Sequence, residues 1–397
     1  MSLAQAAPSP DATVRPASGR LAVTGLRLTA YRNYATLRLD VDARPVVLTG
    51  LNGAGKTNLL EAISYLGAGR GLRGARLADV DRKGGDAADD GATPWAVAAT
   101  LEDGNGTFSV GTGRDGAAAS ARRIVRIDGK PAAGPAALAE RVPVLWLTPA
   151  QDRLFLDRPN ARRRYLDKLV AALQPEHASR VNDYEKALRE RARLLKDGVG
   201  DAAWLAALER SMAESGIAIA AARRQTADDL TRAAADGIGP FPAALVRAEG
   251  DGESWLGEGP ALDAEDRLAA ALAAARGRDA EIGGASVGPH RSDMVVEHRA
   301  RSLPASELST GEQKTLLVSI LLAAARLQAA RRGFAPILLL DEVSAHLDIV
   351  HRAALYDEIA ALSAQAWMTG TDPSLFAPLG ANARFLTVAA GHLRDAN

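Results

Sequence analysis

Cysteine is absent from all 397 residues, which removes disulfide scaffolds, thiolate metal sites and cysteine nucleophiles together. Aromatic residues make up only 4%, too few for a surface that holds nucleic acid mainly by stacking on bases. No apolar run approaches the ~20 residues needed to span a bilayer, so no membrane partner is expected. Net charge is missing too, because 48 Lys and Arg offset 48 Asp and Glu. That balance excludes attraction of a polyanion by the whole surface at once. Residues 1–20, rich in Ala, Pro and Ser, have neither the basic start nor the apolar core of a signal peptide and read as a disordered tail. A soluble, cytoplasmic protein is expected, 47% hydrophobic and long enough for two or three units with sizeable cores.

What is there falls into two α/β ends around a helical middle. Leu21 to Gly50 alternates in the strand manner and ends in the apolar run Pro45 to Thr49. Leu59, Leu60, Ile63 and Leu66 then recur at helical spacing. The runs 96–101, 107–110 and 123–127, broken by Gly-Asn-Gly and Asp-Gly, predict antiparallel hairpins. From Pro159 to about Ala235 the chain turns to Ala-, Leu- and Arg-rich helical segments, followed by an acidic stretch, 249–266, that reads as turns. Strand-like residues 294–297, a helix from Gly311 to Arg332, the buried strand Ile337–Leu340, a helix over 349–362 and strands over 366–369 and 385–389 close the chain.

The residues Gly50, Leu51, Asn52, Gly53, Ala54, Gly55, Lys56 and Thr57 fit G-x-x-x-x-G-K-[ST] at every fixed position, between an apolar strand and an amphipathic helix. Glycines let backbone N–H groups curl around phosphate oxygens, and the helix N-terminus adds positive potential. Lys56 is expected on the β- and γ-phosphates of ATP and the Thr57 hydroxyl on Mg²⁺. Ile337–Leu340 delivers Asp341 and Glu342 to the carboxyl end of a strand, where open α/β sheets place ligands. Asp341 suits Mg²⁺, and Glu342 suits the role of general base toward an attacking water. Ser309 and Glu312 form a capping-box pattern at a helix start, 32 residues before Asp341.

In this order, loop, insertion, Leu308-Ser-Thr-Gly-Glu-Gln313 and Asp341-Glu342, the sequence resembles ABC-type ATPases. The resemblance implies that Ser309, Gly311 and Gln313 contact the nucleotide of a second subunit, and that Asp348 lies on a dimer loop. Within that group the chain resembles the RecF family of bacterial recombination mediators over Leu21 to Leu393. The residues that carry this are Tyr31-Arg-Asn-Tyr34, Asn58-Leu-Leu-Glu-Ala-Ile63, Gly71-Leu-Arg73, Pro159-Asn-Ala-Arg-Arg-Arg-Tyr-Leu-Asp167, Gly288-Pro-His-Arg-Ser-Asp293 and Met368-Thr-Gly-Thr-Asp372. The resemblance further implies ATP contacts from Asn58 and Arg32. Three departures stand out. Ser292 replaces an acid, the loop at 368–371 lacks the γ-phosphate-sensing His of many ABC proteins, and Gln151 is the nearest candidate for a sensing Gln. Thr369 or Thr371 can stand in for the His only as a hydrogen-bond partner, which suggests slow hydrolysis.

The zero net charge is a sum of segregated parts. Residues 162–196 hold ten bases against five acids, while 249–266 hold seven acids and no base. Lys186, Arg189 and Arg193 share a helical face that suits DNA phosphates, with Glu185–Arg189 and Glu190–Arg193 pairing as the alternative. Arg73 belongs to a second basic run with Arg70, Arg76, Arg82 and Lys83.

The expected architecture is α/β: an ABC-type ATPase head, made of a P-loop sheet with an antiparallel β subdomain, and a helical lobe inserted between its halves. The boundaries expected are a tail at 1–20, head at 21–158, lobe at 159–280 and head at 281–397. The expected function is an ATP-dependent, DNA-stimulated weak ATPase that clamps double-stranded or gapped DNA as an ATP-induced homodimer. By resemblance it assists recombinase loading with RecR- and RecO-type partners. A transporter nucleotide-binding subunit and an ATP-binding scaffold with little turnover are the alternatives.

Overall fold

The computed structural model describes residues 19–82, 93–116, 122–198, 201–235, 237–389 and 391–396. The tail expected at 1–20 lies outside the described residues up to 18, as does Lys83. Gly19 and Arg20 already belong to the folded body: the Gly19 N–H donates to Gly333 O at 3.0 Å, and the Arg20 guanidinium donates to Ala43 O.

The chain begins with the hairpin β1 (Ala22–Tyr31) and β2 (Tyr34–Asp40), then β3 (Val46–Thr49) and α1 (Lys56–Ser64). A meander follows: β4 (Ala96–Asp103), β5 (Gly106–Arg114), β6 (Arg123–Ile127) and β7 (Lys130–Pro131). After β8 (Val144–Leu147) come α2 (Pro159–Leu173), α3 (His177–Lys196), α4 (Ala202–Ala233), β9 (Ala244–Glu249), α5 (Asp251–Glu258), α6 (Ala261–Ala274) and α7 (Arg276–Ile282). The last part holds β10 (Asp293–His298), β11 (Leu303–Pro304), α8 (Thr310–Arg332), β12 (Ile337–Leu340), α9 (Ile349–Ala361), β13 (Ala366–Gly370), β14 (Arg384–Ala389) and β15 (His392–Asp395).

One sheet runs β15-β14-β3-β13-β12-β8, parallel except for the edge strand β15. Its short strands are almost wholly apolar because both faces are covered. Val46, Leu48, Ile337, Leu339 and Trp367 face α1 and the antiparallel sheet, while Val47, Leu338, Leu340 and Met368 face the helical side. The second sheet, β2-β1-β4-β5-β6-β7, is antiparallel. Its inner residues Leu26, Leu28, Val97, Leu101, Val110 and Val125 pack in one cluster with Leu59, Leu60 and Ile63 of α1. Its alternate residues are largely solvent-facing, as expected of a sheet with one covered face.

Helix α8 is the central rod. Its middle, Leu316 to Ala325, is buried on every side, the state of a helix enclosed by a core. It ends where Gly333 takes the left-handed conformation (φ 77°), a terminus that a side chain would strain. At that end Arg331 pairs with Asp229 of α4, and Arg332 donates to Ala139 O and Glu140 O at 3.0 Å.

The inserted segment differs from the expected helical lobe at 159–280. Tyr165, Leu166, Leu169 and Val170 of α2, with Ala227 and Leu230 of α4, join the cluster under the parallel sheet. Strand β9 pairs with β10 across the expected boundary at 280. A separate cluster forms from α3, the first half of α4, α6 and the segment up to Ala285, through Tyr184, Met212, Ile217, Leu268 and Leu272, with Trp255 and Leu256 of α5 against it. The acidic stretch read as turns is largely helix. Asp251 and Glu253 occupy the first turn of α5 and Asp263 that of α6, where carboxylates favour the helix dipole.

Candidate nucleotide-binding site

Strand order explains where the site lies. β13 stands between β3 and β12, so the Gly-rich loop after β3 and Asp341 after β12 flank the end of β13. Gly55 precedes α1 at φ 113° with no side-chain cap, and the first turn carries no acid. The first N–H groups of a helix have no intrahelical acceptors, so here they are left for an anion. A Cβ on Gly55 would fall 2.5 Å from Asn33 Nδ2, and one on Gly50 (φ 145°) 2.3 Å from Val388 O. The loop is therefore held against its surroundings at its two ends, while Gly53 is open.

Lys56 Nζ donates to the carbonyls of Gly50 at 2.7 Å and Leu51 at 3.2 Å, and lies 3.7 Å from Glu342. The Thr57 hydroxyl donates to Asp341 at 2.9 Å. The Thr369 hydroxyl donates to the same carboxylate at 2.7 Å and accepts the Glu342 N–H at 2.9 Å. Glu342 sits at φ 54°, a conformation costing a non-glycine residue on the order of 1–3 kcal/mol. Of the two threonines weighed in place of the sensing His, Thr369 is the one in contact, and Thr371 is exposed. The hydroxyl of Thr57 and the carboxylate of Asp341, hard oxygen donors beside a phosphate loop, fit Mg²⁺.

Arg32, expected on the nucleotide, is engaged elsewhere. Its Nε and Nη2 each donate to Glu61 of α1 at 2.8 Å, and its Nη1 to Asp79 O at 2.8 Å. Arg73, expected on DNA, donates to the same Glu61 and to Asn58 Oδ1, both at 2.8 Å. Asn58 donates on to Asn33 Oδ1 at 2.7 Å, and Asn33 to Ala54 O at 3.3 Å. These residues form one polar chain supporting the loop and its helix.

Ser309 is the N-cap of α8, in a reciprocal box with Glu312. Bonds from the Ser309 hydroxyl and N–H hold the Glu312 carboxyl below its ordinary range. Ser309, Thr310 and Gly311 are exposed, but Gln313 is buried and donates inward to Leu308 O at 2.9 Å. Gln313 is thus a support of the signature turn and not part of its outer surface. Asp348 caps α9, and the bonds from the His351 backbone and ring lower its pKa. Near it Ile349 and Val350 are 76% and 64% exposed, and Leu51 on the phosphate loop is 84% exposed. Gln151 turns back to accept from the Thr148 N–H at 2.8 Å. Its neighbour Asp152, unremarked in the sequence, meets buried Lys314 of α8 at 3.1 Å. The only local signal was its position beside Gln151.

The basic excess of 162–196 is divided: Arg164, Lys186, Arg189, Arg193 and Lys196 are exposed, and the other five are partly or wholly covered. Arg162 pairs with Asp293, Arg163 donates to Ser292 O, and Arg191 is buried between Glu209 and Asp279. Lys168 lies 3.7 Å over the Trp146 ring and donates to Trp146 O, its ammonium pushed well down by burial. Arg189 and Arg193 meet Glu185 at 3.4 Å and Glu190 at 2.7 Å, the alternative pairing. Lys186 is exposed. Ser292 donates to buried Glu253 at 2.8 Å, so a carboxylate from α5 stands beside the position where the motif lost its own.

The model of the RecF/RecN/SMC N-terminal domain matches residues 22–386. A DNA replication and repair protein RecF of Mesorhizobium japonicum is 48% identical, covering 93% of this chain and 96% of its own length. The chain belongs to the RecF family. A RecF of Rhizobium rhizogenes is likewise 48% identical over 93% of this chain. A solved structure of the recombination mediator protein RecF with ATP, in the RecFOR pathway, superposes with TM-score 0.80 at 19% identity, covering 95% of this chain and 100% of that one. An Smc head bound to the winged-helix domain of ScpA superposes at 0.52. These two likenesses concern the fold, an ATPase head shared by RecF and Smc proteins. No helix among the described residues is long and apolar enough to cross a membrane.

Proposed function

We propose that this chain is an ATP-gated DNA clamp of replication and recombinational repair. The observation that carries the reading is the convergence of the phosphate loop, Thr57, Asp341, Glu342 and Thr369 at one sheet edge, with the Ser309–Gly311 turn exposed on the same chain. Loop N–H groups and Lys56 bind the triphosphate, and Thr57 and Asp341 hold Mg²⁺. The ion, when bound, withdraws charge from the phosphate oxygens. Glu342 accepts the proton of a water that attacks the γ-phosphorus as the bond to the β-phosphate oxygen breaks, leaving ADP and phosphate. Thr369 is the positioning residue, tying the Glu342 backbone to Asp341.

Two copies close face to face. Exposed Leu51, Ile349 and Val350 support this, since apolar side chains around a charged site favour cover by a partner. In the closed pair Ser309 and Gly311 of one copy meet the γ-phosphate held by the other, making ATP binding and dimerisation one event. The dimer grips duplex or gapped DNA, hydrolysis resets it, and RecR- and RecO-type proteins are its partners in placing recombinase. Family membership and the names of the relatives favour this over a transport subunit.

Sedimentation with and without ATP and gapped duplex tests the reading. The wild type should self-associate on ATP addition, and Lys56→Ala should stay monomeric. A Lys56→Ala chain that dimerises with unchanged ATP dependence removes the loop from the mechanism.

A further inference from the structure

We propose that the outer face of the antiparallel sheet is where this chain lays the phosphate backbone of duplex DNA. The assignment rests on the DNA-binding reading above and names its surface. The pairing registers align Arg38 with Arg27, Arg27 with Ala98, Ala98 with Gly111, and Gly111 with Arg126. Residues directly opposite in a sheet project to the same face. A single row therefore crosses β2, β1, β4, β5 and β6 with arginines at its two sides and only a methyl and a glycine between them. With strands about 4.8 Å apart, Arg27 and Arg126 stand roughly 14 Å from each other. The result is a flat lane with cationic margins.

The charges on this face are loosely held. Arg27 has no hydrogen-bond or ion-pair partner among the described residues. Arg126 has one long bond, to Gly129 O at 3.4 Å. Arg38 lies 3.4 Å from Asp40 with both side chains about 70% exposed, a pair that water screens and a phosphate can replace. Arg27 directly opposite Arg38 is a like-charge pair that opposes sheet formation, so nothing in the free protein accounts for it. The neighbouring row, Thr36, Thr29, Ala96, Gly113 and Ile124, carries no charge. The acids of the face, Asp40, Glu102 and Asp128, lie along the strands in the other direction, away from the Arg32–Asn33 turn that touches the phosphate loop.

The same strands reach the phosphate-loop helix from their other side. On β6, Arg123 donates to Gly69 O at 2.6 Å and Gly67 O at 3.2 Å, and to Tyr65 O, all just past the C-terminus of α1. At the end of β1, Arg32 grips Glu61 of α1. DNA on the outer face thereby bears on the C-terminal half of the helix that follows the phosphate loop.

The test is a salt titration of a 30-base-pair mixed-sequence duplex with ATP and Mg²⁺, on full-length wild type, the triple variant Arg27→Ala, Arg38→Ala, Arg126→Ala, and Arg189→Glu with Arg193→Glu. These positions are exposed, and sedimentation with ATP checks that each variant still self-associates. We expect the triple variant to bind about tenfold or more weakly at moderate salt. Its plot of log affinity against log salt should flatten by about 0.9 for each phosphate that is no longer neutralised. Ala98→Glu should weaken binding and Ala98→Arg should tighten it. Unchanged affinity and slope in the triple variant, with loss confined to the α3 variant, overturns the sheet assignment and leaves the DNA reading standing. Wild type without ATP-dependent duplex affinity overturns both.

Discussion

The carboxyl edge of the parallel sheet and the lobe built on α3 handle charge in opposite ways. In the lobe, Arg191 is sealed in the interior with Glu209 at 3.0 Å, Asp279 at 2.8 Å and Leu272 O at 2.7 Å. Arg276 closes on Glu209 from outside. Each of those charges is fully engaged within the fold, which ties α3, α4, α6 and α7 together. At the sheet edge Lys56 leans on two carbonyls and only approaches Glu342, whose backbone is held at positive φ. Charge in the lobe defines position. Charge at the edge is arranged to be handed to something else.

Arg191 is where this contrast is most open to challenge. Arg191→Met leaves Glu209 and Asp279 buried without their shared partner, and removing one member of such a group costs about 3–5 kcal/mol. Urea unfolding measures it. A loss below ~1 kcal/mol would mean that water reaches the cluster and that lobe and edge do not differ as described.

Thr369→Val probes the edge. It removes the bond that positions Glu342 and one donor to Asp341, and should lower ATP turnover about 10²-fold, some 2.7 kcal/mol of barrier, with little change in KM. Thr369→Ser should restore most of the rate. Equal loss in the serine variant would point to packing of the threonine methyl instead.

The smallest expected effect belongs to the lobe side and is read through pH. Burial raises the pKa of Asp167, but hydrogen bonds from His177 and Arg223 outweigh it and bring it down to about 2. A folded pKa below the usual ~3.9 contributes stability above that value and loses it as pH falls toward 2, about 2–3 kcal/mol in all. Asp167→Asn should therefore be less stable than wild type at pH 6, with the gap narrowing between pH 4 and 2. A gap constant across that range would show that the pair with Arg223 does not operate in solution.

The nucleotide site was legible because its chemistry is local. A glycine loop, its lysine and an apolar strand ending in Asp341-Glu342 are contiguous residues whose geometry follows from spacing. The parallel strands were legible for the same reason, being short apolar runs. Strand β9 was not, since Ala244-Leu-Val-Arg-Ala-Glu249 has a helix-like composition and becomes a strand only by pairing with β10. Charge was the least legible. The partners of Arg162 and Arg191 lie 131 and 88 residues away in sequence, so a count of bases in one segment cannot tell a surface from an interior. Gln313 and Arg32 show the same: a motif names the residue, and tertiary packing decides which way its donors turn, here to Leu308 O and Glu61.

Helix α8 has a mechanical consequence. Its 23 residues make a shaft roughly 35 Å long, clamped by core along its middle and bare at the Ser309 end. Its far end is bolted to α4 through Arg331 and Asp229. The exposed signature turn and the second half of α4 are thus joined through one continuous helix.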